Sequence, residues 1–445
     1  MQPGEARAWL DAHVNLETGV GAPSGPSRRA TAPTLERISL LVELLGSPQL
    51  SYPVIHVTGT NGKTSVARMT AALVESTGLS VGSFTSPHLA VVNERIVRNG
   101  EPIADSELDA LLAHIAPLEP VLAEHGLDRV SWFEILTAAA LTWFADVAVD
   151  VAVIEVGLGG TWDSTNIVAA DVAVVTNVSI DHVDYLGSTR ADIAAEKAGI
   201  VDPSCTLVLG ETDTDLVAIF AGREPDRIVL RDRDFGIARD RVAHGGRLVD
   251  VRTPLASYDD VFLPLHGAYQ SHNVAVAITA AESFLERPLD ADGLRATCAE
   301  LTSPGRLEVV GHRPLVLLDG AHNVAGAHAL AAALAEEFPD ADRALVVGLL
   351  REKDAREMLD ALGARSAALV VCCRPPSPRG LDAVDLGAEA IEMGIDRERV
   401  VAVDSVPEAV ARAIAATPAD GQVVVAGSLY VVGAARSALV PASSV

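Results

Sequence analysis

One stretch of this chain, Val54-Ile55-His56-Val57-Thr58-Gly59-Thr60-Asn61-Gly62-Lys63-Thr64, decides its fold class. The apolar first part predicts a buried strand, and the glycine-rich second part predicts a loop that opens a helix. The helix shows one apolar face, formed by Val66, Met69, Leu73 and Val74. A loop between a strand and a helix presents backbone N–H groups and a helix N-terminus to phosphate groups. The stretch therefore predicts a nucleotide site on an α/β fold.

Two side chains of this loop carry its predicted chemistry. Lys63 would reach the terminal phosphates of a nucleotide, and Thr64 would lie near Mg²⁺. The loop departs from the full eight-residue P-loop pattern, because Val57 stands where the first glycine would be. We base the prediction on the strand-loop-helix context rather than on the short motif alone.

Lysine is scarce in this chain: only three of its 34 basic residues are lysines. An ammonium group can lose its proton and react, whereas a guanidinium practically never does. Each of the three lysines, Lys63, Lys197 and Lys353, lies in a motif that suggests a chemical role. We interpret them as positions where arginine could not perform that role. A biased genome that depletes lysine is the competing explanation.

Composition excludes several classes of function. The formal net charge is −26 and the pI is about 4.7, so the surface should repel nucleic acids and anionic membranes. The first residues lack a signal-peptide pattern, and no apolar run approaches the roughly 18 residues that span a bilayer. The four cysteines include the adjacent Cys372 and Cys373, which resemble core thiols. We expect a soluble cytoplasmic protein.

The order of strands and helices predicts an α/β fold with two domains. The first is a P-loop-containing parallel-sheet ATPase domain at 1–301, and the second is a smaller doubly wound α/β domain at 307–445. A hinge is predicted at 302–306, where a Pro-Gly pair ends a helix. Alternating charged segments predict a small antiparallel β addition at about 223–265, and residues 21–29 should form an exposed loop.

Short apolar runs place the remaining strands. In the first domain they lie at 151–154, 172–175 and 207–209, and in the second at 315–318, 345–347, 368–371, 400–403 and 423–425. An alanine-rich pattern predicts a helix over 324–338.

Polar residues that follow predicted strands form candidate sites, because strand carboxyl ends face the ligand crevice of an open α/β sheet. Glu155 ends one strand and could hold Mg²⁺ directly. Asp181-His182 follows the next strand, and a structural role for this histidine is equally consistent with the sequence. Lys197 lies in a predicted helix, where a lysine is normally a surface cation.

Two candidate elements come from the second half of the chain. Arg306 lies on the predicted hinge and could bind a phosphate bidentately. The cluster Asp319-Gly320-Ala321-His322-Asn323 ends a strand and opens a helix. Helix capping would explain Asp319 or Asn323 alone, but the whole cluster indicates a functional site.

Ten ordered motifs resemble those of the folylpolyglutamate synthase/dihydrofolate synthase family, within the Mur ligase superfamily. The resemblance runs from about Leu35 to Arg436, nearly the whole chain. Besides the glycine loop, its motifs are Thr85-Ser86-Pro87-His88, Ser131-Trp132-Phe133-Glu134, 155–160, Asp163-Ser164-Thr165-Asn166, Asp181-His182, 196–200, Pro304-Gly305-Arg306, 319–323 and Gly427-Ser428-Leu429-Tyr430.

The resemblance implies roles for individual residues. Mg²⁺ would be bound by Ser86, Glu155, His182 and Thr64, and Lys197 would be carbamylated. ATP would contact Gly59, Thr60, Asn61, Gly62, Lys63, Thr64, Asn273, Arg306, Asp319 and His322. The pteroate group would lie near Thr31, Ala32, Pro33, Arg37, Ser131, Trp132, Phe133, Glu134 and Trp162. Catalysis would depend on Lys63, Lys197 and His182.

The implied reaction is ATP-dependent addition of L-glutamate to dihydropteroate, to tetrahydrofolate polyglutamates, or to both, through an acyl phosphate. The implied cofactors are one or two Mg²⁺ ions and the carbamylated lysine, with K⁺ as a further candidate. The expected partners are these small molecules only, and the expected state is a monomer. One departure affects substrate preference: Gly160-Thr161-Trp162-Asp163 carries Thr161 where the family usually has arginine.

Other functions are weaker alternatives. A cell-wall Mur ligase would need a UDP-binding domain before the glycine loop, and only 58 residues precede Gly59. A kinase or GTPase would leave the second α/β domain unexplained. A nucleotide-binding regulator without catalysis is inconsistent with an intact set of Lys63, Glu155, His182 and Lys197.

Overall fold

The computed structural model describes residues 4–15, 17, 34–339 and 342–440. The chain divides into two compact units. The first takes the described residues up to Arg241, together with Leu248–Leu263 and Gln270–Leu301. The second takes Val242–Arg247, Pro264–Tyr269 and the described residues from Thr302 onward.

Eight strands form the main sheet of the first unit: β1 (Val54–Thr58), β2 (Val81–Phe84), β3 (Ile96–Arg98), β4 (Glu101–Pro102), β5 (Val151–Glu155), β6 (Val172–Val175), β7 (Thr206–Leu209) and β8 (Arg227–Leu230). Their order is β4-β3-β2-β5-β1-β6-β7-β8. In this order, the six neighbouring strands β2, β5, β1, β6, β7 and β8 pair in parallel. Strands β3 and β4 add an antiparallel edge beside β2. The central strands are buried along their whole length, as expected for continuous apolar runs in a parallel sheet.

Eleven helices are described in and around this unit: α1 (Glu5–Asp11), α2 (Glu36–Leu44), α3 (Lys63–Glu75), α4 (Asp105–Ile115), α5 (Glu119–Glu124), α6 (Trp132–Asp146), α7 (Val183–Leu186), α8 (Arg190–Lys197), α9 (Thr214–Ala221), α10 (Ala268–Leu285) and α11 (Ala291–Ala299). One strongly apolar helix is α6, which buries Ile135, Leu136 and Phe144 in the same core as Phe84 of β2. A helix that is apolar on nearly all sides is expected to be buried.

A small three-stranded sheet follows β8 in the chain. It consists of β9 (Gly236–Ala243), β10 (Gly246–Arg252) and β11 (Ser257–Leu263), in the order β11-β10-β9. Connections this short join antiparallel strands. The prediction of an antiparallel addition at 223–265 was wrong for its first part, since Arg227–Leu230 pairs in parallel with β7 and extends the main sheet. The cause is that an edge strand, exposed on one side, shows the same polar alternation as a hairpin.

The second unit contains a six-stranded sheet: β12 (Glu308–His312), β13 (Leu315–Leu318), β14 (Arg343–Val347), β15 (Leu369–Cys373), β16 (Val400–Val403) and β17 (Gln422–Ala426). Its order is β12-β13-β17-β14-β15-β16, parallel except for β12. The helices are α12 (Val324–Glu337), α13 (Ala355–Ala361), α14 (Ala383–Glu392), α15 (Val406–Ala416) and α16 (Leu429–Leu439).

The α/β fold class and the predicted parallel strands are confirmed. The parallel strand β2 and the antiparallel edge strands β3, β4 and β12 were not foreseen. The second unit begins its long segment at Thr302, where the hinge was predicted, but it also takes in two short segments from the region assigned to the first domain. The loop predicted at 21–29 lies outside the described residues. Among the described residues, no helix is long and apolar enough to cross a membrane.

Strand order in the first unit positions its site. β1 lies between β5 and β6, with Val57 opposite Glu155 and Thr58 opposite Val175. The loops that follow these three strands therefore leave the same edge of the sheet side by side. Residues about 100 positions apart in the chain come together there because parallel strands share one carboxyl edge.

Candidate functional site

The predicted phosphate loop connects β1 to α3. Gly62 is the N-cap of α3 in a left-handed conformation (φ +84°), and no side chain caps the helix. Glycine has no side chain that could cap the first N–H groups of the helix, and an uncapped helix start suits an anion site. Asn273 of α10 packs on this turn, since a Cβ at Gly62 would lie 2.6 Å from its Oδ1 atom. The predicted residues Gly62 and Asn273 are therefore neighbours.

The segment after β6 holds the loop in place. Thr60 donates its N–H to the carbonyl of Asn177 (2.9 Å), and Asn61 donates its N–H to the Asn177 side chain (3.1 Å). Thr176 Oγ1 and Asn177 Nδ2 both donate to the carbonyl of Asn61. The backbone of the loop is thereby ordered before any ligand binds. Thr176 and Asn177 were not predicted as site residues, and their only local signal is their place directly after a buried strand.

Gly59 is the point where this support is tightest. Its φ is +149°, and a Cβ there would lie 1.8 Å from Thr176 Oγ1. We expect Gly59→Ala to lower kcat/KM for ATP about 100-fold, the scale of a 1 Å misplacement of a binding group. Gly78→Ala is the matched control, because Gly78 also has a positive φ (+92°) but its Cβ would meet nothing within 4 Å. Steady-state kinetics with ATP as the varied substrate measure the difference, and equal values for the two variants would contradict the role of Gly59.

Two lysines converge on one carbonyl of the loop. Lys63 Nζ donates to the carbonyls of Gly59 (3.0 Å) and Thr60 (3.3 Å), and Lys197 Nζ donates to the same Gly59 carbonyl (2.8 Å). Lys197 is buried although it ends an amphipathic helix. Burial, and then the nearby charge of Lys63, hold the pKa of Lys197 well below its usual range. Burial thus makes the Lys197 ammonium easier to deprotonate than that of a surface lysine.

Three of the predicted metal ligands are adjacent. The buried Glu155 carboxylate accepts a hydrogen bond from Thr64 Oγ1 (2.9 Å) through one oxygen and from the Ser86 N–H (3.0 Å) through the other. Thr64 Oγ1 also lies 3.5 Å from the Ser86 carbonyl. The Glu155 carboxylate, the Thr64 hydroxyl and the Ser86 carbonyl lie close together as hard oxygen donors, which suits Mg²⁺.

His182 is placed differently. It precedes α7 in a left-handed conformation (φ +49°), and its side chain is exposed. Its N–H donates to the buried Asp181 carboxylate (2.8 Å), and its Nε2 atom lies 3.8 Å from the other Asp181 oxygen. Asp181 was part of a motif but was not predicted as a site residue. The carboxylate of Asp181 orients the histidine through local backbone geometry.

Two residues predicted to contact the pteroate group bind each other. Arg37 donates from Nε and Nη2 to the two oxygens of Glu134 at 3.1 and 3.2 Å. Glu134 is fully buried and also accepts the N–H of Ser131 (2.6 Å), while the Ser131 hydroxyl accepts the N–H of Glu134. This reciprocal capping box begins α6. Glu134 therefore orients Arg37 and the helix start, and its burial leaves Arg37 and Ser131 as the more accessible members.

The aromatic residues predicted to contact the acid make contacts of their own. Phe133 stacks on Phe84 at a centroid distance of 5.7 Å and touches Gly157, where a Cβ would lie 2.7 Å from its ring. Trp132 is buried and donates from Nε1 to Asp11 (3.2 Å). Trp162 is partly buried against the core beside α8. The predicted Thr31, Ala32 and Pro33 lie outside the described residues.

The second unit contains its own polar cluster at the end of β13. Asp319 is buried, and its carboxylate accepts the N–H groups of Leu307 and Ala321, both at 2.8 Å. Tyr269 O–H lies 3.4 Å from the same carboxylate. Burial raises the pKa of Asp319, while Arg306 opposes that shift. Asn323 caps α12 by accepting the N–H of Gly326, so the capping role considered for this residue is real.

Arg306 and His322 lie beside this carboxylate. A Cβ at Gly320 would lie 2.0 Å from Arg306 Nη1, so only glycine lets the guanidinium cross the strand end. His322 Nδ1 hydrogen-bonds with the Gly320 carbonyl at 2.8 Å. The predicted residues Arg306, Asp319 and His322 are therefore brought together within the second unit.

Two domain families match parts of the chain. Residues 133–281 match the family of the Mur ligase middle domain, and residues 305–429 match the Mur ligase, glutamate ligase domain. The chain is 42% identical over 437 residues to a dihydrofolate synthase/folylpolyglutamate synthase of Mycobacterium tuberculosis, covering 91% of this chain and 90% of that protein.

Solved structures agree with the sequence relatives. The fold is similar to a folylpolyglutamate synthase of M. tuberculosis complexed with ADP and AMPPCP, with a TM-score of 0.87 and 41% identity over 93% of this chain and 97% of that one. It is also similar to a folylpolyglutamate synthase in complex with AMPPCP and folate, with a TM-score of 0.84 and 33% identity over 99% and 100% of the two chains.

Proposed function

Because the chain belongs to the folylpolyglutamate synthase/dihydrofolate synthase family, we propose that it joins L-glutamate to the carboxyl group of a pteroate or folate with consumption of ATP. The observation that carries this proposal is the convergence of Lys63 and Lys197 on the phosphate loop, next to the oxygen donors around Glu155. The relatives add that proteins of this kind bind ATP analogues and folate. The chain is thus an ATP-dependent ligase that forms carbon–nitrogen bonds.

The reaction has two steps. A carboxylate oxygen of the acid attacks the γ-phosphorus of ATP, and the bond to ADP breaks to leave an acyl phosphate. The amine of L-glutamate then attacks the acyl carbon, loses a proton, and expels phosphate. Lys63 lies where a cation can neutralise charge on the transferred phosphoryl group, and the N-terminus of α3 adds oriented N–H donors.

The donors around Glu155 fit a magnesium ion. Glu155 would hold it with Thr64 and Ser86, whose hydroxyl groups supply uncharged oxygens. Mg²⁺ in such a site neutralises phosphate charge and orients the phosphoryl group. His182 is proposed as a further ligand on the strength of the resemblance, and imidazole is an uncommon partner for this hard cation.

A carbamate on Lys197 is the second proposed group, and the site fits it. Burial favours the neutral amine, and only a neutral amine attacks the carbon of CO₂. The new N–C bond releases one proton and leaves a carboxylate on the side chain, which would add an anionic oxygen donor beside the phosphate loop. K⁺ stays a prediction that rests on the resemblance alone, as does the monomeric state.

Substrate preference is open between the first glutamate and later ones. Thr161, which stands in place of the usual family arginine, donates its N–H and hydroxyl to the Glu196 carbonyl, both at 3.1 Å. The residue thereby ties its loop to α8 and supplies no positive charge. A loss of charge at this point would weaken recognition of an anionic polyglutamate more than that of dihydropteroate.

The test is a substrate screen with dihydropteroate and tetrahydrofolate supplied separately, each with ATP and L-glutamate, and with products resolved by mass. We expect ADP release only when the acid and L-glutamate are both present, with an acid product heavier by one or more glutamyl residues. ADP release that needs neither would contradict the proposed function. The alternative function, a Mur-type ligase that acts on another acid, is tested by replacing the pteroate with a UDP-linked peptide precursor. We expect no product from that precursor.

A further inference from the structure

The loop after β2 is held at both ends by two consecutive residues, Glu94 and Arg95. The Arg95 carbonyl accepts the N–H of Thr85 at 2.9 Å. The Glu94 carboxylate accepts three successive N–H groups further along the loop, each at 2.8 Å, from Leu89, Ala90 and Val91. A loop with so many fixed backbone groups presents its side chains in defined positions.

The side chain of Arg95 is buried and joins three separate segments. Its Nε donates to His88 Nδ1 at 2.8 Å, and its Nη1 and Nη2 donate to the two oxygens of Glu17 at 2.8 and 2.5 Å. Its guanidinium lies over the ring of Trp132 at 4.7 Å from the centroid. Only 2% of its surface is exposed. The arginine therefore has a fixed position, and so does the imidazole it contacts.

This contact decides which ring nitrogen of the neutral His88 side chain carries the hydrogen. A guanidinium only donates hydrogen bonds, so His88 Nδ1 is an acceptor and carries no hydrogen. The hydrogen of the neutral ring is then on Nε2. Within the described ranges, Nε2 has no hydrogen-bond partner, and the residue is partly exposed. The ring also lies 6.4 Å from the Trp132 ring, which gives it a fixed orientation with one free donor.

The position of His88 indicates what this donor meets. At Ser86 the loop faces the phosphate site, since the Ser86 carbonyl lies 3.5 Å from Thr64 Oγ1 and its N–H binds Glu155. Two residues later, at His88, the loop faces Trp132 and the start of α6. The imidazole of His88 thus lies beside Trp132, one of the predicted acid-binding residues.

We propose that His88 Nε2 donates a hydrogen bond to an acceptor on the pteroate-type acid, and that Arg95 is the positioning residue that fixes this tautomer. The inference rests on the proposed function, because the acid is the substrate that the function supplies. The acceptor would be a carboxylate or carbonyl oxygen of the acid.

Two substitutions of His88 separate the ring nitrogens. In His88→Asn the side-chain oxygen can take the place of Nδ1 and keep the bond from Arg95, but the Nε2 donor is lost. In His88→Gln the amide nitrogen reaches the Nε2 position and the contact with Arg95 is lost. We expect His88→Asn to raise KM for the acid about tenfold, the usual scale of one lost hydrogen bond, with KM for ATP and the melting temperature unchanged. We expect His88→Gln to keep the acid KM within about threefold.

Arg95→Lys tests the positioning role, with Arg247→Lys as its matched control. Arg247 is also an almost fully buried arginine, and it is paired with Glu336 and Glu337 in the second unit. Both lysine variants should lower the melting temperature, but only Arg95→Lys should raise KM for the acid. A double variant, Arg95→Lys with His88→Asn, should add little to the effect of either change if the two residues act as one unit.

The possible outcomes separate a failure of the proposed function from a failure of the proposed hydrogen bond. If the wild-type protein releases ADP without any pteroate-type acid, the proposed function fails. If it requires the acid but His88→Asn has the wild-type KM for that acid, the function stands and the hydrogen bond from Nε2 is refuted. If Arg95→Lys and Arg247→Lys change the acid KM equally, the positioning role of Arg95 is refuted.

Discussion

Lys197→Arg is expected to lower kcat at least about 1000-fold, the scale of removing a group that stabilises charge in the transition state. The substitution keeps a positive charge but removes the amine, and a guanidinium does not form a carbamate. The environment of Lys197 makes the amine reactive, since burial and the charge of Lys63 lower its pKa well below the usual range. Turnover of the acid with ATP and L-glutamate measures the loss.

Three further measurements make this prediction specific. Labelled ¹³C-bicarbonate should give a carbamate signal by NMR in the wild type and none in Lys197→Arg. In Lys197→Ala, which leaves space beside the Gly59 carbonyl, acetate or another short carboxylate should restore part of the activity by replacing the carbamate. Lys197→Gln covers the possibility that arginine disturbs packing. A fully active Lys197→Arg variant would show that the carbamate is not required.

Glu155→Gln is expected to reduce kcat about 1000-fold and to raise the Mg²⁺ concentration needed for half-maximal activity more than tenfold. The amide keeps the shape of the carboxylate and one oxygen acceptor for the Ser86 N–H or for Thr64. It loses the negative charge, which is the strongest attraction of this donor set for a divalent cation. The measurement is activity as a function of Mg²⁺ concentration.

Glu211→Gln is the matched control for this substitution. Glu211 is also a buried carboxylate that follows a parallel strand of the same sheet, and it accepts the N–H groups of Val178, Thr212 and Asp213 and pairs with Arg190. Its replacement should lower the melting temperature but leave the Mg²⁺ requirement unchanged. Equal Mg²⁺ requirements in the Glu155 and Glu211 variants would show that Glu155 is not a metal ligand.

Part of the candidate site could be predicted from short stretches of sequence. The glycine loop at 59–64 follows a strand and opens a helix in the structure as expected, and the cluster at 319–323 again lies between a strand and a helix. The first prediction depends on local backbone chemistry, namely glycines with positive φ and a helix start without a side-chain cap. Asn323 shows the limit, since the same local pattern serves as a helix cap.

Other assignments required the folded chain. Arg37 and Glu134 were each predicted to contact the substrate, and they are 97 positions apart in sequence yet bind each other. Arg95, which sets the tautomer of His88 and pairs with Glu17, has no local signal that distinguishes it from any other arginine. The segment Arg227–Leu230 was assigned to the wrong sheet for a related reason, because polar alternation does not tell an edge strand from a hairpin.

The sequence by itself determined the α/β class, most of the parallel strands and the loop predicted to meet the phosphates, because these depend on apolar periodicity and on glycine placed within a few residues. Only the tertiary structure decided which groups are buried and which are paired. The scarcity of lysine marked Lys197 as unusual, but its chemistry depends on burial against the Gly59 carbonyl, 138 positions away. A pKa depends on the solvent and the charges around a group in three dimensions. The lowered pKa of the Lys197 amine could therefore be inferred only from the folded structure.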